Sequence, residues 1–571
     1  MFQSIRMPSF AKPFVTLLLL SWLSIAGSIS LAQPKPIEIR VDLTKTKEPL
    51  KPIWAWFGYD EPNYTYMKDG KKLLSEIASL SQVPVFVRAH SLLVTGDGKA
   101  ALKWGSTNAY TEDKNGNPVY DWTIVDRIFD TYIERGMKPI AQISFMPEAL
   151  STKPEPYKHN WGPGNQYNNI FTGWAYPPKD YKKWSELVYQ WVKHSVARYG
   201  QKEVESWYWE LWNEPNIGYW KGTVEEYIKL YDYTADAVKR ALPTAKMGGP
   251  EVTGPGGEGS AKFFRAFMDH IVSGTNAVTG KTGAPLDFVT FHAKGAPKLV
   301  NGVVQMNMGT QFRDIDKGFE IVASYPTLKN LPIIIGESDP EGCAACSEDL
   351  HPENAYRNGT MYASYTAAAF ARKYDLAKAR GVNLLGAVTW AFEFEDQPWF
   401  RGFRDLATNG VDKPVLNVFR MFGMMQGNRV EINTDLAYDF NKIKKESVRG
   451  ERDINALAAK DSKSATVLVW NYHDDNVLGP NAPVDVRLKG IPAQRVLVQH
   501  YRIDQQFSNS YEVWKKMGSP KSPTAEQVAE LEKAGQLQLL TSPAWLNVKN
   551  GDLHIPFTLP GQGVSLVKLT W

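Results

Sequence analysis

Trp207-Tyr208-Trp209-Glu210-Leu211-Trp212-Asn213-Glu214-Pro215-Asn216 reads as a strand that runs straight into a polar turn and leaves a carboxylate at its lip. Ile333-Ile334-Ile335-Gly336-Glu337 has the same form, a buried run delivering a glutamate at its C-terminal end. Near-continuous apolar runs of this kind mark parallel strands covered on both faces. Val83-Pro84-Val85-Phe86-Val87 and Pro139-Ile140-Ala141-Gln142-Ile143 are two more. Amphipathic stretches separate them. Asp121 is placed to cap a helix carrying Val125, Ile128, Phe129, Tyr132 and Ile133 on one stripe, stopped at Gly136. Asp180 is placed to cap another, with Trp184, Leu187, Val188, Trp191 and Val192 at helical spacing and a stop at Gly200. Eight candidate strands lie near residues 53–58, 83–89, 138–144, 206–212, 245–249, 287–292, 331–336 and 384–391. Eight βα repeats predict an α/β chain with a (β/α)8 TIM barrel over residues 49–426, its active site at the C-terminal strand ends. A doubly wound open sheet would show a glycine-rich phosphate loop after its first strand, and the sequence has none there.

Beyond the barrel the period changes to two. Leu553, Ile555, Phe557 and Leu559 alternate with His554, Pro556 and Thr558, and Ala465–Tyr472 is a further strand candidate. Residues 427–571 therefore read as an antiparallel β-sandwich accessory domain. One short helix interrupts it, with Thr524 and Gln527 spaced as a capping box and Gly535 as its stop. Ile37, Ile39, Val41 and Leu43 alternate with Glu38, Arg40 and Asp42, so residues 33–48 form a strand. A lone strand does not fold by itself, and this one is expected to complete the sandwich.

Residues 1–32 read as a signal peptide. Arg6 and Lys12 form a basic start, an apolar run extends from Phe14 to about Ile25, and Ser30-Leu31-Ala32 precedes Gln33 as a cleavage site. The run is interrupted by Thr16, Ser21 and Ser24, short of the roughly 20 apolar residues of a spanning helix. The expectation is a secreted or periplasmic protein, off the membrane after cleavage. Of 571 residues, 65 are basic and 61 acidic; setting aside Arg6 and Lys12 leaves a formal charge of +2. That balance argues against nucleic acid as a partner, since phosphate-backbone binding rests on clustered Lys and Arg. Cys343 and Cys346 cannot complete a four-ligand zinc site, and in an oxidising compartment they are expected to form a local disulfide bracing a loop. Aromatic residues reach 12% and call for a use.

In barrel counting, Glu214 and Glu337 follow strands 4 and 7 and face each other across the mouth. Paired carboxylates with different roles are what glycoside hydrolysis requires: one protonates the leaving oxygen, the other meets charge developing at the anomeric carbon. No metal or organic cofactor is needed for that chemistry. Glu210 shares parity with Glu214 and should point into the barrel, where it needs a cationic partner. Arg88, at the end of strand 2, is placed to supply it or to hold Glu337 ionised.

The chain resembles clan A glycoside hydrolases and, more narrowly, glycoside hydrolase family 39, which includes β-xylosidases and α-L-iduronidases. The resemblance is carried by Arg88-Ala89-His90, Trp122-Thr123-Ile124-Val125-Asp126-Arg127, Phe145-Met146-Pro147-Glu148-Ala149-Leu150, Pro177-Pro178-Lys179-Asp180-Tyr181, Trp212-Asn213-Glu214-Pro215-Asn216 and Phe291-His292. It implies Glu214 as general acid/base, Glu337 as nucleophile, Asn213 on the sugar 2-hydroxyl, and His90 and His292 on the glycone. It also implies retention of anomeric configuration through a covalent glycosyl-enzyme. Many xylosidase-like members carry a tyrosine two residues after the strand 6 histidine. Here the string is His292-Ala293-Lys294-Gly295-Ala296, which resembles the iduronidase branch, where the lysine holds a uronate carboxylate. The competing expectation is that Lys294 merely pairs with an acid such as Asp339.

Aromatic side chains between Tyr157 and Tyr176, and Trp390, Trp399 and Phe400 after strand 8, are expected to line a sugar cleft. The reading is a retaining, β-xylosidase-like exo-glycosidase acting on oligosaccharides derived from polysaccharides. An iduronidase-like or other family 39 exo-glycosidase is the alternative. A non-catalytic carbohydrate-binding protein on the same scaffold would lack one carboxylate, and both are present.

Overall fold

The computed structural model describes residues 35–165 and 167–571, and the segment read as a signal peptide lies outside them. Eight parallel strand positions close into a barrel: Trp56–Tyr59, Phe86–Ala89, Lys138–Ile143, Tyr208–Leu211, Lys246–Val252, Phe288–His292, Pro332–Glu337, and an eighth made of Asn383–Ala387 and Thr389–Trp390. The two halves of the eighth strand perform the closure. Asn383–Ala387 pairs with Pro332–Glu337, whereas Thr389 and Trp390 pair with Phe57 and Gly58 of the first strand. A helix follows each strand and covers the outside, from Lys68–Ala78 after the first to Pro414–Gly423 after the eighth. Every residue of Tyr208–Leu211 is buried, as the unbroken apolar pattern requires.

The helices start and stop where local chemistry directs. Asp180 accepts hydrogen bonds from the backbone of Lys182 and Lys183 at the head of Tyr181–Tyr199, and Gly200 ends that helix at φ 85°. Trp184, Leu187, Val188, Trp191 and Val192 form its fully buried stripe. Thr123–Ile133 begins one residue later than expected, with Trp122 at the cap position and Asp121 accepting from the Thr123 amide.

The second sheet runs Gln538–Asn547, Arg495–Ile503, Val564–Thr570, Ser464–Tyr472, Asp453–Lys460, Asn428–Thr434, Ile37–Pro49, Ala482–Lys489, Leu553–Leu559. Its two wings are joined by a pairing of only two residues, Asn428 with Lys460 and Arg429 with Ala459. Side chains of both wings, among them Ile39, Val484, Ile555, Val467 and Leu569, share one core, so the sheet folds over into a sandwich. Ile37–Pro49 completes it, antiparallel to Asn428–Thr434 but parallel to Ala482–Lys489. The sandwich is antiparallel as expected apart from this one seam, where a strand arriving from the far end of the chain has no hairpin to fix its direction. Thr524 and Gln527 do form a reciprocal capping box at the head of Ala525–Gly535. Phe440–Glu446 and Ser510–Lys516 are two further helices, too short at seven residues each to leave an amphipathic signature.

The sandwich is pinned to the barrel behind strands 7 and 8. Arg372, on the helix Thr360–Arg380, pairs with Asp453, whose carboxylate also accepts a 2.7 Å hydrogen bond from the Trp470 indole. The scaffold around Glu337 is thereby braced from outside.

Candidate active site

The C-terminal strand ends converge on one mouth. Asp60 follows strand 1, Arg88 and His90 end strand 2, Glu210 lies in strand 4, Glu251 in strand 5, His292 ends strand 6, Glu337 ends strand 7 and Trp390 ends strand 8. Glu214 sits three residues past strand 4 in a turn where Trp212 and Glu214 both take positive φ, 67° and 42°. Two bonds hold this turn. The Trp212 indole donates to the Tyr219 carbonyl at 2.9 Å, and the Glu214 amide donates to the Glu251 carbonyl at 2.8 Å.

Glu214, His292 and Glu337 each bring a polar side-chain atom within 4.8 Å of the other two. His292 Nδ1 lies 2.9 Å from Glu214 Oε1 and 3.7 Å from Glu337 Oε1. Arg88 Nη1 and His90 Nε2 each stand 3.5 Å from Glu337 Oε1, and the Lys294 ammonium bonds the other oxygen. Burial by itself favours the neutral acid, but Lys294, His292 and His90 outweigh it and hold Glu337 well below the usual carboxylate range. A carboxylate kept ionised at neutral pH is a competent nucleophile.

Arg88 is fully buried and serves several acids. It donates to Glu210 at 2.6 Å and to Asn213 Oδ1 at 3.2 Å, and lies 3.4 Å from Glu251. The two roles considered for Arg88, partner of Glu210 and support for Glu337, coexist in one guanidinium. Glu210 is nonetheless pushed well above the carboxylate range by burial, with Glu251 facing it, while Glu251 stays ionised near 2 because Arg88 and His292 overcome its burial. Two buried carboxylates side by side keep one proton between them.

A cavity of about 390 Å³ opens over the pair, lined by Glu214, Glu337, Lys294, Trp390, Tyr219, Asp60, Lys103, Glu341, Arg404 and the Cys343–Cys346 loop among others. Cys343 and Cys346 are joined as a disulfide in its wall. Trp390 is held on both sides: its indole donates to Asp60 at 3.0 Å and its amide donates to the Asp339 carboxylate at 3.0 Å. Its ring packs 4.4 Å from His90, with the Arg88 guanidinium 4.9 Å from its centroid. Lys103 bonds Asp60, which it holds below the usual range, with help from His90, against the pull of burial. Asp339 is therefore occupied by the Trp390 amide, and Lys294 pairs with Glu337 rather than with Asp339.

Of the residues expected to touch substrate, Lys294 and Trp390 line the cavity. His90 lines a small adjoining hollow with Phe145, Trp174 and Tyr219, and Arg88, Asn213 and His292 stand behind the carboxylates. The loop aromatics differ from expectation. Tyr157 is buried and donates to the Met146 carbonyl at 2.7 Å, and Trp174 packs 4.5 Å from Phe145. Phe400 packs tilted, 5.4 and 5.1 Å from Tyr511 and Trp514 of the helix Ser510–Lys516, and Trp399 packs with the same cluster. Trp174 borders the small hollow beside His90, the other rings named build the walls, and Trp390 and Tyr219 meet the larger cavity. Asp60, Lys103, Tyr219 and Glu251 escaped the sequence reading. Asp60 was signalled by its place just past strand 1.

The sequence profile of Glycosyl hydrolases family 39 matches residues 37–549. A β-xylosidase of Caldicellulosiruptor saccharolyticus is 28% identical over 468 residues, 78% of this chain and 82% of that one. An α-L-iduronidase of Mus musculus is 24% identical over 540 residues, 88% of this chain and 76% of that one. The fold matches a crystal structure of a β-xylosidase from Caulobacter crescentus CB15 with a TM-score of 0.71 at 22% identity, covering 93% of this chain and 99% of that one.

Proposed function

This chain belongs to glycosyl hydrolase family 39 and is a glycoside hydrolase, and from that premise we propose a retaining, β-xylosidase-type exo-enzyme acting on oligosaccharides from polysaccharide. The observation that carries the reading is the closeness of Glu214 and Glu337, whose polar atoms come within 4.8 Å. Retaining enzymes hold their carboxyl groups roughly 5–5.5 Å apart, whereas inverting ones leave roughly 6.5–9.5 Å for a water. In this reading Glu214 protonates the glycosidic oxygen as Glu337 attacks the anomeric carbon. Water, deprotonated by Glu214, then releases the sugar from the glycosyl-enzyme. A cavity of about 390 Å³ lies toward the small end of ligand sites and supports removal of terminal sugars. Similarity to a β-xylosidase supports xylose as the glycone, and xylan fragments as its source. A screen of purified protein against nitrophenyl glycosides, with the product anomer followed by NMR, tests both halves; inversion overturns the mechanism.

A second reading is favoured by Lys294, which presents an ammonium at the cavity wall that a neutral pentose does not require. On that reading the glycone carries a carboxylate, as in α-L-iduronides, and similarity to an α-L-iduronidase supports it. For either, we propose export with cleavage after Ala32; N-terminal sequencing of the exported protein should begin at Gln33.

A further inference from the structure

His292 is enclosed by charge from every neighbouring strand. Glu214 meets its Nδ1 from the turn after strand 4, Glu251 lies against its Nε2 from strand 5, and Glu337 stands 3.7 Å from Nδ1 on strand 7. Arg88 on strand 2 and Glu210 on strand 4 sit behind Glu251, and Lys294 sits beyond Glu337. Glu251 is fully buried and has no place in the double displacement. The fold is nonetheless shaped around it. Glu251 holds a left-handed backbone, φ 54°, from which its carbonyl receives the Glu214 amide at 2.8 Å. On strand 7 the residue before the nucleophile is Gly336, and a Cβ there would stand 2.2 Å from both Glu251 oxygens.

We propose that Glu251 is a positioning residue for the reaction: it keeps His292 as an imidazolium bridging Glu214 and Glu337, so that the ring fixes the acid by a charged hydrogen bond and supports the charge of the nucleophile. The physical sense is direct. An anion against Nε2 favours the doubly protonated ring, whose Nδ1–H is then a charged donor to Glu214. Facing Glu337 first, then Glu251 and Glu214, His292 is lifted to about 10 despite its burial. On its other side the same cation faces Glu337, whose carboxylate it helps to keep ionised.

The test has a part independent of catalysis. The full chain carrying carbon-13 at the histidine ring Cε1 is titrated by NMR, the His292→Gln spectrum assigning its signal among the nine histidines. In the wild-type protein His292 should stay cationic well above pH ~7. In Glu251→Gln its midpoint should fall by roughly one to two pH units, and Glu251→Asp should recover part of the shift. Glu210→Gln, which mimics the protonated partner, should leave His292 cationic. The kinetic part rests on the role proposed for Glu337: with His292 neutral the nucleophile loses a cationic neighbour, so the acid limb of the kcat/KM profile should move upward in Glu251→Gln. A neutral His292 in the wild type near pH ~7 overturns the proposal even if Glu251→Gln does not fold. An unshifted ring in a folded Glu251→Gln also overturns it. A shifted ring with an unmoved acid limb breaks the link to Glu337. Absence of glycosidase activity leaves the ring titration standing, and thus counts against the proposed function alone.

Discussion

Lys294 and Glu337 form a direct ion pair at the mouth of the barrel, the ammonium on one carboxylate oxygen while Arg88 and His90 face the other. The lysine that invites comparison with uronate-binding enzymes is thus also a guardian of the proposed nucleophile's charge. Any change at Lys294 acts on both at once.

Replacing the two carboxylates separates their roles. Glu337→Gln should abolish turnover on every substrate. Glu214→Gln should cost roughly 10²- to 10⁴-fold on glycosides with poor leaving groups while sparing activated aryl glycosides, and azide should rescue it with retained configuration. Equal loss for both variants on an activated substrate, with rescue of neither, would reject the assignment.

Lys294→Met discriminates the two glycone readings. Loss of the ammonium raises the Glu337 pKa, so the acid limb of kcat/KM should move upward on xyloside and uronide alike. The β-xylosidase reading expects equal falls at the pH optimum of the variant. A further loss of roughly 10- to 150-fold confined to the uronide transfers the assignment to acidic sugars.

Gly336→Ala inserts a methyl group 2.2 Å from both oxygens of the buried Glu251 carboxylate. The expected destabilisation is about 1–3 kcal/mol, with loss of activity. Combined with Glu251→Ala, the cost in thermal unfolding should be less than the sum of the single variants. Strict additivity would show that the two positions do not collide.

Stability at alkaline pH should follow His292. Its folded value near 10 lies above its unfolded value near 6.5, so its contribution is complete below about pH 6.5 and lost as pH rises through about 10. The Tm difference between the wild-type protein and His292→Gln should therefore shrink across that window. A difference that stays constant would show that the ring is neutral throughout.

Thiol titration of the unfolded, unreduced protein should find no free thiols, Cys343 and Cys346 being paired. Two reactive thiols would show an open loop beside the cavity.

The barrel and its mouth were legible because the strands that carry Glu214 and Glu337 are apolar on both faces, a pattern that local sequence displays openly. Glu251 was hidden by the same logic. Gly248-Gly249-Pro250 reads as a strand terminator, yet pairing with strand 6 carries the strand on to Val252, across a shift between Pro250 and Val252. The aromatic loops misled for a different reason. A ring that stacks on a sugar and a ring that fills a wall have the same composition, and only three-dimensional placement separates Trp390 from Phe400.

The seam between Ile37–Pro49 and its partners has a consequence for biosynthesis. This strand leaves the ribosome long before the segments it pairs with, Asn428–Thr434 and Ala482–Lys489. Until those arrive it is an unclaimed, half-apolar edge, open to the wrong neighbour. Nascent chains of this protein should thus depend on holding chaperones until those segments are made, and the accessory sandwich should become protease-resistant only after the residues that finish it have been made.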